Sequence, residues 1–345
     1  MSVERECHIE NQHRASKKMK VTTMKEEENV IGTDDDDDDC QVEYHVILFY
    51  KYGPLSDDHE VMQLYKDSII TLGNQLNLTG RVLIGVSRNT EGINGTLAGA
   101  VKEDVLAFTY ANMGQEWCEK YIDEMKNKVL ACQRRKNAIE KFWESSKDFM
   151  KLAKVPFLTM DSLQDFKWST TFCSKEKNNN IVSGPFPDLN IKLVKEIINT
   201  GGKFSSIDIE DTNKGHLTPE EWHKEMLQIQ NKLENDHVQK NETILIDCRN
   251  HKEYEIGHFS SALDPNTKTF EQFPRWVQEN KTALDGKKIL MYCTGGIRCE
   301  KASAFIRKET DALSVQHLKG GIHKYLDKYG SDGTFKGKVS GHLLF

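Results

Sequence analysis

Two short apolar runs constrain this chain more than anything else in it. Thr243–Cys248 (TILIDC) and Lys288–Cys293 (KILMYC) carry almost no polar residue between their ends. A strand with one wet face alternates apolar and polar residues. A nearly continuous run fits a strand covered on both faces, as in a parallel sheet flanked by helices. Helical patterns at about 219–234, 251–256, 269–280 and 298–309 separate and follow the two runs. Strands alternating with helices predict a doubly wound α/β domain over 216–332.

Upstream the register differs. An apolar run at Val46–Tyr50 is closed by Gly53-Pro54, and Val61, Leu64, Tyr65, Ile69, Leu72 and Leu76 follow at helical spacing. Two strand-like runs, Arg81–Ser87 and Ile93–Leu97, flank a turn at Asn89–Gly92, then a helix covers about 101–112 and FKWSTTFC (166–173) reads as a last strand. Strand–helix–strand–strand–helix–strand is the α+β ferredoxin-like order. It predicts such a domain over 43–176, with a charged helical insertion at about 113–154. Residues 177–215, opening on Asn178-Asn179-Asn180 and containing a Pro-bearing extended segment, read as a linker; 1–42 read as a disordered charged tail and 333–345 as a C-terminal tail.

At 345 residues, two domains are the expectation. Net charge is −6, and the six aspartates Asp34–Asp39 account for all of it, so global charge makes no case for nucleic acid. No apolar run approaches the length of a membrane span and the N-terminus has no secretory pattern, so a cytoplasmic protein that does not engage membranes is expected. The eight cysteines form no C-x-x-C pair, which argues against a zinc ribbon and for free thiols in a reducing compartment. Neither a metal nor a cofactor is expected. Glu210–Glu221 imitates a calcium loop but puts Lys214 at a ligand position; a helix start with Thr218 as N-cap and Glu221 completing a capping box is the better reading.

Chemistry concentrates in Lys287–Ala304, KKILMYCTGGIRCEKASA. A buried strand ends before Cys293, in the position where open α/β sheets bind ligands. Thr294, Gly295, Gly296 and Ile297 then lead into a helix near Arg298. Adjacent glycines turn backbone N–H groups inward, and the helix N-terminus adds positive potential. Both favour a thiolate at Cys293, and Arg298 offers a cation for an oxyanion. The spacing is C-x4-R. Thiol phosphatases use C-x5-R, and the shorter loop suits a sulfur atom carried on the cysteine. Cys299 is either a second thiol that resolves a Cys293 persulfide or a small residue facing the sheet; Cys248 reads as a buried small hydrophobe. Arg81 and Asn94 are either anion-binding groups or hydrogen-bonded turn residues. In the insertion, Arg134-Arg135-Lys136 and Trp143 either contact RNA or belong to a solvated charged helix pair.

CTGGIRCEKA with HLKGGIHKYL (317–326), LIDCRNHKEYEIGHFSSAL (245–263) and GRVLIGVSRNTEGINGTLAG (80–99) together resemble the rhodanese-domain family of the tRNA uridine hydroxylase type. That family also holds the animal thiosulfate sulfurtransferase/rhodanese-like proteins and carries an N-terminal acylphosphatase-like module. The resemblance implies that Cys293 forms a persulfide and that Thr294, Gly295, Gly296, Ile297 and Arg298 hold the transferred sulfur. Asp247, Arg249, Glu253 and His258 match the upstream signature and are expected to be structural, Arg249 pairing with Glu253 at i, i+4 and His258 anchoring a loop through its ring. Relatives continue with aromatic-rich or cysteine-rich chain where this sequence ends in FKGKVSGHLLF, so no metal function of such a tail is expected. The leading expectation is rhodanese-type sulfur transfer from a donor such as thiosulfate or a persulfide. The alternatives are oxygen-dependent hydroxylation of the tRNA wobble uridine, with tRNA as partner, and a non-enzymatic persulfide carrier.

Overall fold

The computed structural model describes residues 41–337 apart from 54, 87–90, 115–122, 124–125, 154–159, 163–164, 175–183, 205–211, 213 and 235–241. The acidic tail, the turn residues 89 and 90, Asn178–Asn180 and residues 338–345 lie outside the described residues.

The first module is built on β1 (Gln41–Tyr52), α1 (His59–Gln75), β2 (Thr79–Gly85), β3 (Gly92–Gly99), α2 (Lys102–Met113), α3 (Gln133–Ala153) and β4 (Lys167–Ser174). Its sheet has the order β4-β1-β3-β2-β5, and the first four strands are antiparallel neighbours, as a ferredoxin-like chain requires. Helices cover one face. Ile47 and Phe49 of β1 pack there with Leu72, Phe108 and Phe142. Asp58 caps α1, its side chain accepting from the N–H groups of Glu60 and Val61.

The stretch read as a linker contributes β5 (Leu189–Val194), which pairs in parallel with β2 from Gly80↔Leu189 to Gly85↔Val194. Ile191 is buried in the module's core, with Leu189 and Leu193 packed against it, so this segment belongs to the sheet. The insertion is likewise integral. Ile139, Phe142 and Phe149 of α3 enter the core, and the rings of Phe149 and Tyr65 lie 5.0 Å apart.

The second module runs through β6 (His216–Leu217), α4 (Pro219–Glu234), β7 (Thr243–Asp247), α5 (His251–Ile256), β8 (Gly257–Phe259), α6 (Phe273–Glu279), α7 (Lys281–Leu284), β9 (Lys288–Tyr292), α8 (Ile297–Glu309), β10 (Ser314–Leu318), α9 (Gly321–Tyr329) and β11 (Phe335–Gly337). Its sheet, β6-β10-β9-β7, is parallel throughout. Alternate residues of the two apolar runs serve opposite faces. Ile246, Ile289 and Met291 pack with Phe273 and Phe305 on one face, and Leu245, Leu290 and Tyr292 pack with Trp222 and Tyr325 on the other. This is why both runs lack polar interruptions. The capping box at α4 forms, with the Thr218 N–H donating to Glu221 Oε2 at 2.8 Å and the Glu221 N–H to Thr218 Oγ1 at 3.3 Å. The segment expected as a tail begins inside the fold: β11 pairs with β8, and Phe335 meets Phe259 edge-on at 5.2 Å. Among the described residues no helix is long and apolar enough to cross a membrane.

Candidate active site

β9 delivers Cys293 to the carboxyl edge of the sheet, and the chain turns through Thr294-Gly295-Gly296 into α8. Gly296 takes φ 100°, which a side chain would resist. Its N–H donates to Cys293 Sγ at 3.1 Å. The HLKGGIHKYL motif supplies the floor: at the start of α9, the N–H groups of Ile322 and His323 donate to the carbonyls of Cys293 (3.0 Å) and Thr294 (3.1 Å). Gly321 has φ 66°, and a Cβ there would lie 2.4 Å from the Thr294 carbonyl oxygen. Two glycine pairs, 25 residues apart in the chain, thus hold one loop.

Cys293 is fully buried. Burial pushes its thiol pKa up, but a hydrogen bond from the Cys299 thiol, the charge of Arg298 and the N–H groups of Cys299 and Arg298 outweigh that and hold it at about 6. At neutral pH the group is a thiolate. Cys299 is held well above the usual thiol range, first by burial and then by its contacts with Cys248 and Cys293; burial also raises Cys248. Cys299 thus contacts both Cys293 and Cys248, with the one anion of the three at Cys293. All five described cysteines are free thiols.

The upstream signature is wired differently from the expected i, i+4 pair. Arg249 turns to Asp247, with Nε to Oδ1 at 2.9 Å and Nη2 to Oδ2 at 2.6 Å, and also donates to the Gly257 carbonyl. Asp247 sits only two residues away and captures the guanidinium first. Glu253 instead completes a capping box with Asn250 and takes both Arg298 terminal nitrogens at 2.8 Å. Thr294 Oγ1 also donates to Glu253, at 3.1 Å. Burial would raise the Glu253 pKa, but Arg298 overrides it and holds the carboxyl at about 2. Arg298 is thus a paired cation, its charge balanced by Glu253 at the loop's rim. The Asn250-x-x-Glu253 spacing was the sequence signal that Glu253 faces back toward its helix start rather than toward Arg249. His258 lies stacked on Tyr254, rings 4.0 Å apart, with Nδ1 3.0 Å from the Tyr254 carbonyl.

The first module closes over this loop. Leu48, Tyr50 and Tyr52 lie on the face of β1 opposite Ile47 and Phe49. A Cβ on Gly295 would meet Leu48 Cδ2 at 2.6 Å, and one on Gly296 would meet Tyr50 Oη at 2.7 Å. Tyr50 donates to Glu300 Oε1 (3.1 Å) and Tyr52 to the Ile297 carbonyl (3.2 Å), while Lys301 forms a buried ion pair with Glu91. Sequence reasoning gave no role in the site to Tyr50, Tyr52, Glu91, Glu300 or Lys301, because each finds a partner in the other module.

Between the modules lies a cleft of about 480 Å³, lined by Arg81, Asn94 and Thr96 from the sheet and by Thr294, Gly295 and Arg298 from the loop. Arg81 and Asn94 therefore sit opposite Cys293's loop, Asn94 also donating to the Ile197 carbonyl at 3.1 Å. The basic run of the insertion does not join them. Arg134 and Arg135 both bind Asp104, and Trp143 donates to the Ala111 carbonyl.

Two family models match. Residues 44–197 match the UPF0176 acylphosphatase like domain, and residues 227–328 match the Rhodanese-like domain. The first boundary includes β5. Among curated proteins, the chain is 30% identical to the tRNA uridine(34) hydroxylase of Aster yellows witches'-broom phytoplasma over 282 residues, spanning 82% of this chain and 67% of that protein. It is 28% identical to the Bacillus pumilus protein of the same name over 86% of this chain and 67% of the other. A shorter match to the Rickettsia prowazekii protein, also of that name, reaches 42% identity over 45% of this chain and 57% of the other. With both modules present in this order and an extended match at this identity, the chain belongs to the rhodanese-domain family that includes these tRNA uridine(34) hydroxylases.

Proposed function

We infer that this chain is a tRNA-modifying enzyme that hydroxylates uridine at position 34, one atom of dioxygen entering the base and the other leaving as water with two electrons from an external thiol reductant, and with Cys293 as its reactive group. Relatives matched across both modules are named tRNA uridine(34) hydroxylase. The observation that carries the reading is the shared cleft. Its walls come from both modules, and about 480 Å³ suits a nucleotide rather than a small inorganic anion. Arg81 is exposed at its rim, where a phosphate of the bound strand would meet a cation, and Asn94 and Thr294 offer polar groups to a base.

Arg298 supports the same preference. A sulfurtransferase using thiosulfate needs a cation with charge to spare, and here Glu253 takes both ends of the guanidinium. Sulfur transfer, the leading expectation from the sequence, is kept as a second reading because the Cys293 thiol is held at about 6. In that reaction the thiolate attacks the outer sulfur of thiosulfate, the S–S bond breaks, sulfite leaves, and the persulfide passes to a thiophilic acceptor.

The deciding experiment expresses the chain in bacteria lacking their own wobble-uridine hydroxylases and measures tRNA nucleosides by mass spectrometry. Hydroxylated uridine is expected with the wild type and absent with Cys293→Ser. A folded wild-type protein that produces none, yet gains one sulfur from thiosulfate at Cys293, would replace the hydroxylase reading with the sulfurtransferase one.

A further inference from the structure

Behind the cysteine loop, on the far side of the first turn of α8 from Glu253, two histidines and a glutamate converge. β6 and β10 pair in parallel with His216 directly opposite His317, so both rings leave the same face of the sheet, 4.4 Å apart. Glu300 reaches them from α8. Its Oε1 lies 2.8 Å from His216 Nε2, and its Oε2 lies 3.4 Å from His317 Nε2. One donor atom from each residue fits within a span of 4.8 Å.

These groups are under-satisfied. His317 is fully buried and Glu300 is 6% exposed; Glu300 Oε2 and His317 Nε2 face each other at 3.4 Å without good hydrogen-bond geometry, and His317 Nδ1 has no hydrogen-bond partner. A carboxylate buried beside an imidazole without hydrogen-bond geometry is an unfavourable arrangement for either group alone. A cation between them resolves it, because Glu300 Oε2 and His317 Nε2 would then share one partner.

We propose that His216, His317 and Glu300 form a binding site for one divalent first-row transition ion, contrary to the expectation from the sequence that no metal is bound. Two imidazole nitrogens and one carboxylate oxygen are the donor set of zinc or iron(II), whereas magnesium and calcium take oxygen almost alone. Ligand atoms around tetrahedral zinc stand roughly 3.3 Å apart given its bond lengths. The observed 2.8 Å (to Oε1) and 3.4 Å (to Oε2) lie near that spacing, and one donor atom from each residue falls within 4.8 Å of the others. Tyr50 Oη, 3.1 Å from Glu300 Oε1, orients the carboxylate from outside the donor set. His216 is partly exposed and gives the ion a way in. Tyr50 also abuts Gly296, which puts the ion one phenol ring away from the loop that holds Cys293. The site stands on its own geometry and does not depend on the hydroxylase reading.

The rival metal site is the group of thiols Cys248, Cys299 and Cys293, so the test must separate nitrogen–oxygen from sulfur ligation. The full chain is stripped with a chelator and titrated anaerobically with cobalt(II), followed by zinc(II) in competition. Saturation at one equivalent is expected, with a visible ligand-field spectrum, no sulfur-to-cobalt charge-transfer band, and displacement by zinc. Cys293→Ser should bind cobalt unchanged, while Glu300→Gln and His216→Ala should each weaken binding at least tenfold. His216 is at the edge of the cluster, so His216→Ala remains decisive if the Glu300 variant does not fold. No saturable binding, or a charge-transfer band lost in Cys293→Ser and retained in His216→Ala, would overturn the assignment.

Discussion

Replacing Glu253 with glutamine tests how the loop's electrostatics are built. The carboxyl is held at about 2 against a usual 4.5, because its ion pair with Arg298 overrides the upward push of burial. Between those values the unfolded chain binds a proton that the native protein does not. Stability from the pair is therefore fully present above pH 4.5 and is lost as pH falls through about 2. A shift of this size corresponds to about 3 kcal/mol at neutral pH. The side chains are 18% and 7% exposed, so solvent screens the pair little, and the general cost of breaking a buried pair, about 3–5 kcal/mol, agrees. Glu253→Gln keeps the shape, removes the charge and strands Arg298. Urea denaturation at neutral pH should show the variant less stable by about 3 kcal/mol, with most of that gap gone by about pH 3. Glu300, also held at about 2, is present in both proteins and cancels from the difference. The unpaired guanidinium should in addition draw the Cys293 titration below about 6, followed by thiolate ultraviolet absorbance. A stability gap that does not change with pH, or a Cys293 pKa that rises, would refute the assignment of Glu253 as the counter-charge of Arg298.

Other consequences are measurable. Cys293 is ionised but fully buried, and Leu48 packs over Gly295 of its loop, so its alkylation by iodoacetamide should be slow and follow a midpoint of about 6; if Leu48 limits access, Leu48→Ala should raise the rate at least tenfold without moving that midpoint. An unchanged rate would mean Leu48 is not the cover. Gly321→Ala places a methyl against the Thr294 and Cys293 carbonyls at 2.4 and 2.5 Å and forces φ 66° on alanine, so it should cost well over 1 kcal/mol in urea denaturation and raise the Cys293 pKa as the loop shifts. Asp247→Asn leaves the buried Arg249 without its counter-charge and should lower stability by about 3–5 kcal/mol, measured the same way.

What the sequence disclosed follows from how local each signal is. The runs at 243–248 and 288–293 announce buried strands because every residue in them is covered, and the periodic helices between them place the parallel sheet without any knowledge of partners. β5 shows the limit. Leu189, Ile191 and Leu193 alternate with Asn190 and Lys192, which marks an extended strand, but its neighbour β2 lies about a hundred residues earlier and leaves no trace in that alternation. Glu253 fails for the same reason. Arg249 is close along the chain, just before the helix, whereas Arg298 is brought in by the sheet from 45 residues away. The cysteine loop was legible because its glycines, thiol and arginine are contiguous. His216, Glu300 and His317, contributed by two strands and a helix, have no spacing to read.

The placement of charge on α8 says most about how the two modules work together. Glu300 and Lys301 are adjacent, bear opposite charges and are both buried, at 6% and 2% exposure. Here Lys301 pairs with Glu91 and lies over the Tyr52 ring, and Glu300 accepts from Tyr50, all three partners belonging to the first module. Lys167, also from that module, sits over the Tyr50 ring and is held at about 8, burial outweighing the nearby carboxylates. Charges buried this way cost free energy unless their partners are in place, so the docked arrangement is specified rather than incidental. Two flexibly tethered domains would show a wetter, more polar boundary. The alternation of β1 links the two modules: Ile47 and Phe49 anchor the strand in its own core, while Leu48, Tyr50 and Tyr52 reach the loop that carries Cys293. The ferredoxin-like module thus forms one wall of the cleft, Arg81, Asn94 and Thr96 of its sheet facing Thr294, Gly295 and Arg298 of the cysteine loop.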